Sequence, residues 1–132
     1  MPVSRFATTR RPSVVIVEDE ETSRRALSVL LSLCGYQPQA FASAEDALRF
    51  LKGRAFPQVV LIDLDLPGMS GLDLIRRLKK LEPSVFPILI TASDDDTLAA
   101  QLRGLPVVYL RKPVDFDVLL ALLNEQHQRH RF

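Results

Sequence analysis

A short apolar run that ends in a carboxylate constrains this chain more than any other feature. Residues 59–62 read Val-Val-Leu-Ile, and Asp63 follows directly. A continuous apolar run of this length is typical of a strand that is buried on both faces of a parallel sheet. Open α/β sheets bind their ligands at the carboxyl ends of such strands. Pro67, Gly68 and Gly71 then turn the chain away. Asp63 is therefore predicted to be a nucleophile or a metal ligand at a strand tip.

Segments typical of strands and helices alternate five times along the chain. The predicted strands cover 14–17, 37–42, 59–62, 86–90 and 107–110, and the segments between and after them have helical periodicity. Such alternation implies a parallel sheet with helices on both faces. Pro38 lies within the second strand, which is tolerable only at a sheet edge. We predict an α/β fold: a flavodoxin-like (βα)5 doubly wound parallel sheet in the strand order 2-1-3-4-5.

Helical spacing also predicts which apolar side chains are buried. Ser43 and Asp115 are the predicted N-caps of the second and fifth helices. The fourth helix is predicted over 94–103. The predicted apolar faces comprise Leu27, Leu30, Leu31 and Cys34 on the first helix, Leu74, Ile75, Leu78 and Leu81 on the third, and Val118, Leu119, Leu122 and Leu123 on the fifth.

Length and charge narrow the class of protein. The 132 residues suggest one domain over 13–126, with a flexible arm over 1–12 and a polar tail over 127–132. A formal net charge of +1 gives no reason to expect binding to nucleic acid or to a membrane. The single cysteine excludes an internal disulfide and fits a reducing compartment, so we expect a cytoplasmic protein.

Acidic residues follow two of the predicted strands. Glu18 and Asp19 come directly after the first strand, and Asp63 and Asp65 come at the end of the third. These strand ends lie on one side of a parallel sheet, so the carboxylates crowd together, which either raises their pKa values or requires a cation. Oxygen ligands of this kind suit Mg²⁺, and the backbone carbonyl of Asp65 could supply one more.

Two further strand ends carry groups that bind anions. Thr91 ends the fourth strand and offers a hydroxyl, and Lys112 follows the fifth strand and offers a point charge. A nucleophilic carboxylate, a divalent cation, a lysine and a hydroxyl together form a site for phosphoryl transfer. Positioning and charge neutralisation provide nearly all of the catalysis in such a site.

Four motifs in this order make the chain resemble the receiver (CheY-like) domain of bacterial two-component response regulators. They are Glu18-Asp19, the stretch from Asp63 to Gly71, Thr91-Ala92 and Lys112-Pro113, and the resemblance covers about residues 13–125. Each motif is weak by itself, but all four at predicted strand ends are specific.

The resemblance implies a role for each matched residue. Asp63 is the expected phosphoacceptor, which Thr91 and Lys112 assist by contacting the phosphoryl group. Glu18 through a water, Asp19, Asp63 and the Asp65 carbonyl are the expected Mg²⁺ ligands. Thr91 and Tyr109 are the expected switch residues, because Tyr109 matches an aromatic position that changes rotamer on activation. The Lys112-Pro113 bond is expected to be cis.

The resemblance also implies partners. A sensor histidine kinase or a phosphotransfer protein would supply the phosphoryl group, and a downstream protein or an output domain would read the switch. A homodimer through helix 4, strand 5 and helix 5 is one option. We expect no direct binding to nucleic acid or membrane, and no turnover of a separate substrate.

Two departures from the family pattern concern the site and its output face. The stretch between Thr91 and Lys112 is slightly short, and 103–106 replaces the usual turn, which predicts a short or displaced fourth helix. Glu18 stands where many members have aspartate, a substitution that leaves metal binding plausible.

Two other functions remain open from the sequence. The Asp63-Leu64-Asp65 motif resembles that of haloacid-dehalogenase-type phosphatases, although their motif follows the first strand of a larger domain. A phosphorylation-independent interaction module would keep the fold and lose the chemistry.

Overall fold

The computed structural model describes residues 11–103, 105 and 107–129, and for Asp95 the backbone alone. Most of the predicted arm, Gly104, Pro106 and residues 130–132 lie outside this part. The described residues form strands and helices in strict alternation, in the order β1 Ser13–Val17, α1 Glu21–Leu33, β2 Gln37–Phe41, α2 Ala44–Leu51, β3 Val59–Asp63, α3 Gly71–Leu81, β4 Phe86–Thr91, α4 Asp95–Leu102, β5 Val108–Arg111 and α5 Phe116–Arg129.

The strands form one parallel sheet in the order β2-β1-β3-β4-β5. The predicted fold and strand order are therefore confirmed. Pro38 lies in β2 at the sheet edge, where its missing N–H costs no ladder hydrogen bond. The strand β3 occupies the centre and is buried along its whole length, including Asp63 at its end.

Alternate residues of the strands supply two apolar layers. In β1, Val15 and Val17 pack on the side of α2, α3 and α4, whereas Val14 and Ile16 pack on the side of α1 and α5. Successive strand residues point to opposite faces, so the short apolar runs serve both layers at once. The sheet is thereby covered on both sides, and only its edges and strand ends are open to ligands.

Four side chains predicted to be buried are exposed instead. Leu30 is 41% exposed and Val118 is 45% exposed, while Leu81 reaches 62%, and Cys34 is exposed at the C-cap of α1. Helices α1 and α5 contact the sheet through a narrow stripe of residues spaced by four, namely Leu27 and Leu31 on α1 and Leu119 and Leu123 on α5. Leu30 and Val118 lie beside that stripe, because neighbours in a helix differ by about 100° in direction.

Polar caps fix where the helices begin. The hydroxyl of Ser43 accepts the backbone N–H of Asp46, and Asp115 accepts those of Asp117 and Val118, which confirms both predicted caps. Asp94 caps α4, which is only eight residues long. Helix α5 continues into the predicted tail as far as Arg129. None of the helices in the described residues has the length and apolar character that a membrane span requires.

Candidate functional site

The carboxylate of Asp63 is at the carboxyl end of the central strand and is only 4% exposed. Its Oδ1 atom accepts the backbone N–H of Asp65 at 3.1 Å, so the loop that follows the strand orients the carboxylate. The main chain directly after Asp63 is hydrogen-bonded to β4, because Leu64 donates its N–H to the carbonyl of Ile90 at 2.8 Å. Strand pairing and loop geometry together place the Asp63 carboxylate at the carboxyl end of the sheet, where a ligand site is predicted.

Lys112 lies opposite Asp63 after strand β5. Its Nζ atom is 3.2 Å from Asp63 Oδ2 and 3.3 Å from Glu18 Oε1. Burial lowers the pKa of Lys112, but the charges of Asp63 and Glu18 outweigh it and raise the pKa above its ordinary value. The ammonium is therefore held charged between two carboxylates that are almost fully buried.

Glu18, Asp19 and Asp63 place one oxygen each within 4.8 Å of one another. Glu18 is 2% exposed, and burial together with the nearby Asp63 raises its pKa to about 7. Asp19 is exposed, so the cluster opens to solvent on that side. Three carboxylate oxygens with an open side suit Mg²⁺, which keeps several waters. The predicted carboxylate ligands are thus brought together, and they fit the ion by donor type and spacing.

Arg24 on α1 supports the acidic pair, which the sequence analysis did not foresee. Its Nη1 atom donates to the carbonyl of Glu18 at 3.0 Å and to that of Asp19 at 3.2 Å. Glu20 contributes by donating its backbone N–H to Glu18 Oε2 at 3.1 Å. The only sequence signal for Arg24 is a basic residue one turn into a helix that follows an acidic loop.

Two glycines shape the loop between Asp63 and α3. Gly68 has a φ of +73°, which L side chains rarely adopt. Gly71 begins α3, and a Cβ atom there would lie 2.5 Å from the Asp63 carbonyl oxygen. The helix therefore starts directly against the backbone of the strand tip, and only glycine fits at this position without movement.

Thr91 is fully buried at the end of β4, and both its carbonyl and its hydroxyl accept backbone hydrogen bonds. Its carbonyl accepts the N–H of Lys112 at 2.7 Å. Its hydroxyl oxygen accepts the N–H of Ser93 at 2.9 Å, a contact that the sequence analysis missed. Because the hydroxyl acts there as the acceptor, its own hydrogen can still be donated to an anion.

The remaining residues of the prediction lie around this centre. Tyr109 is 37% exposed and lies on β5, which pairs directly with the strand β4 that ends in Thr91. The Asp65 side chain is exposed. The peptide bond between Lys112 and Pro113 is cis, which confirms that expectation.

Comparisons with known proteins agree with this geometry. The family model described as "Response regulator receiver domain" matches residues 14–124. The chain is 34% identical to the transcriptional regulatory protein FixJ of Bradyrhizobium diazoefficiens, over 88% of this chain and 57% of that protein. It is 32% identical to the C4-dicarboxylate transport transcriptional regulatory protein DctD of Rhizobium meliloti, over 91% of this chain and 26% of that protein.

The chain thus spans between about a quarter and somewhat more than half of these curated relatives. Among solved structures, a response regulator receiver protein from Pseudomonas putida is 33% identical with a TM-score of 0.79, and the match covers 88% of this chain and 98% of that one. Receiver domains are signalling switches that bind Mg²⁺ in an acidic pocket and interact with histidine kinases and output domains. The family match over most of the chain, the strand order and the acidic pocket lead to one conclusion: this chain belongs to the response regulator receiver domain family.

Proposed function

We propose that Asp63 is the phosphoacceptor of this receiver, that it is phosphorylated in an Mg²⁺-dependent reaction, and that a histidine kinase is the donor. The observation that carries the proposal is the arrangement around Asp63. One nearly buried carboxylate faces an ammonium at 3.2 Å and shares a cluster with two further carboxylates. A nucleophile, a cation for the transferred group and ligands for a metal therefore lie at one strand tip.

In the proposed step, an Asp63 carboxylate oxygen attacks the phosphorus of a phosphohistidine. The new bond is the P–O bond of an aspartyl phosphate. The bond that breaks is the P–N bond to the donor, whose imidazole leaves with the electron pair and is protonated. Glu18, Asp19, Asp63 and the Asp65 carbonyl would hold Mg²⁺, which when bound neutralises charge on the phosphoryl oxygens.

Lys112 and Thr91 have distinct roles in this proposal. The Lys112 ammonium already neutralises Asp63 and would follow the negative charge onto the phosphoryl group. The Thr91 hydroxyl would donate to a phosphoryl oxygen, and Ser93 would move with it because the Ser93 N–H is bound to the same hydroxyl. This contact would draw the loop after β4 toward Asp63.

The switch would be read on β5 and its neighbours. Tyr109 lies on β5 next to β4, and in the proposed active state its ring moves inward behind the displaced Thr91 loop. The changed surface would signal to a partner protein or to an output domain. No separate substrate is turned over in this scheme. Asp63 ends the third strand, whereas the phosphatase motif follows the first strand of a larger domain, so the phosphatase alternative is not favoured.

Intact-protein mass after incubation with Mg²⁺ and a small phosphodonor tests the proposal. We expect one phosphoryl adduct per chain, which requires the metal and is absent from Asp63→Asn. The matched control is Asp65→Asn, which changes an exposed carboxylate on the same loop and leaves the backbone carbonyl in place. An adduct of equal yield on Asp63→Asn would contradict the assignment.

A further inference from the structure

A groove between helices α2 and α3 lies away from the acidic pocket and has no role in the proposed phosphoryl transfer. It has a volume of about 560 Å³. Its apolar part consists of Leu48 on α2, Met69 in the loop before α3 and Leu81 at the end of α3. Leu81 is 62% exposed, although its helical spacing with Leu74 and Leu78 would place it in the core.

The rim of the groove is basic on both helices. Arg49 and Lys52 are three residues apart on the α2 side, and Arg77 and Lys80 are three apart on α3. All four basic residues line the same groove as the apolar residues Leu48 and Leu81. Cations therefore flank the exposed apolar patch on two sides.

Most of this positive charge is not neutralised locally. Arg49 is bound to Asp46 at 2.7 Å. Within the described part of the chain, no carboxylate lies at ion-pair distance from Lys52, Arg77 or Lys80. The groove's own acid, Glu45, accepts the backbone N–H of Met69 at 3.2 Å.

Helix stability accounts for only part of this arrangement. Cations near a helix C-terminus are favourable, and both Lys79 and Lys80 lie in the last turn of α3. Lys79 donates to the carbonyls of Pro83 and Val85 in the loop that follows the helix. Arg77 lies before the last turn of α3, and Leu81 is exposed although helix stability does not require an apolar side chain there. A ligand that is both acidic and apolar would satisfy both features.

From this arrangement we propose that the α2–α3 groove is a docking site for an acidic amphipathic protein segment. An apolar side chain of the segment would contact Leu48, Met69 and Leu81, and its carboxylates would pair with Lys52, Arg77 and Lys80. The charge complementarity would speed association and make it sensitive to salt. Docking would not depend on phosphorylation of Asp63.

The probe for this site is a synthetic helical peptide of about 18 residues, with leucine at every third or fourth position and glutamate elsewhere. Fluorescence anisotropy measures its binding to the full chain, and amide chemical shifts locate it. We expect saturation at one peptide per chain, with shifts confined to α2, α3 and the loop at Met69. Replacing glutamate by glutamine, or leucine by serine, in the peptide should each weaken binding.

Variants of the protein separate the groove from general charge. Arg77→Glu with Lys80→Glu should weaken binding by about tenfold. Arg25→Glu with Arg129→Glu changes the net charge equally on α1 and α5, and should leave the affinity within about twofold. Leu81→Ser should also weaken binding without a charge change. Asp63→Asn should bind as the unchanged protein does.

Four results would overturn the proposal. The first is no binding of the peptide, and the second is equal loss in the groove variant and its charge-matched control. The third is that the unchanged protein binds phosphatidylglycerol vesicles but not the peptide, and that Arg77→Glu with Lys80→Glu abolishes vesicle binding. The groove would then be a site for an anionic lipid surface. Self-association of the protein through the groove, detected by sedimentation without peptide, would likewise replace the peptide as its occupant.

Discussion

The Nζ atom of Lys112 lies 3.2 Å from Oδ2 of Asp63, and the two residues are 49 positions apart in the chain. Strand order brings them together, because β3 and β5 lie on either side of β4 and the carboxyl ends of these parallel strands lie on the same side of the sheet. The same ammonium also contacts Glu18 from β1 at 3.3 Å. One cation therefore joins the tips of three strands, and it does so at the residue proposed to carry the phosphoryl group.

Lys112→Met should destabilise the metal-free protein. The substitution leaves Glu18 and Asp63 side by side, nearly buried and without their cation. Breaking a fully buried pair costs about 3–5 kcal/mol, but Lys112 is one-third exposed, so we expect a loss of about 1–2 kcal/mol in unfolding free energy. Urea unfolding measures it, and added Mg²⁺ should recover part of the loss. An unchanged unfolding free energy without metal would show that the contacts of Lys112 with Glu18 and Asp63 do not stabilise the fold.

Gly71→Ala should disturb both stability and phosphorylation. A Cβ at this position meets the Asp63 carbonyl oxygen at 2.5 Å, so the helix start or the strand tip must move. We expect a loss of about 1–3 kcal/mol in unfolding free energy, together with slower phosphorylation of Asp63.

Gly53→Ala is the matched control for Gly71→Ala. Gly53 has a φ of +74° and open space around it, so alanine there meets only backbone strain, of about 1 kcal/mol. Its rate of phosphorylation should equal that of the unchanged protein. Equal rates in both alanine variants would mean that Gly71 does not position Asp63.

Tyr36→Phe should lower stability in a way that depends on pH. The Tyr36 hydroxyl donates to Asn124 Oδ1, and its loss should cost about 1 kcal/mol near neutral pH. Burial, with a smaller contribution from Cys34, raises the pKa of Tyr36 above 10.0. A raised folded-state pKa gives stability that is complete below the unfolded pKa and is lost as pH rises through the folded value. The difference between the two proteins should therefore shrink above about pH 10.

Urea unfolding from about pH 8 upward measures this difference. Asn124→Ala is the control, because it removes the acceptor and keeps the phenol that titrates. That variant should retain the alkaline fall in stability, which Tyr36→Phe should lose in part. An identical pH profile for Tyr36→Phe and the unchanged protein would contradict the assignment.

The strand order and the acidic pocket were predictable because they depend on strong local signals. Short apolar runs indicate buried strands, and Pro38 indicates an edge strand. The resulting strand order places Glu18, Asp63 and Lys112 at the carboxyl ends of the strands, on one side of the sheet. The metal-ligand and switch roles of the site residues remain predictions.

Other contacts depend on geometry that the sequence does not encode locally. Arg24 donates to backbone carbonyls of other residues, and Ser93 donates its own backbone N–H to the Thr91 hydroxyl. Each contact involves a backbone group, and no pattern of side chains predicts it. Leu81 and Val118 follow the periodicity of buried residues but lie beyond the width of the sheet contact, so they are exposed. The helical period indicates which way a side chain points, whereas its burial depends on how far the sheet extends beneath the helix.

The most direct test of the central claim is to identify the residue that carries the phosphoryl group. The protein is phosphorylated with a small phosphodonor and Mg²⁺, then treated with borohydride, which reduces an aspartyl phosphate to homoserine. Peptide mass spectrometry then locates the modified position. We predict homoserine at position 63 and nowhere else, dependent on both the donor and the metal. Homoserine at Asp19 or Asp65, with Asp63 unmodified, would contradict the account.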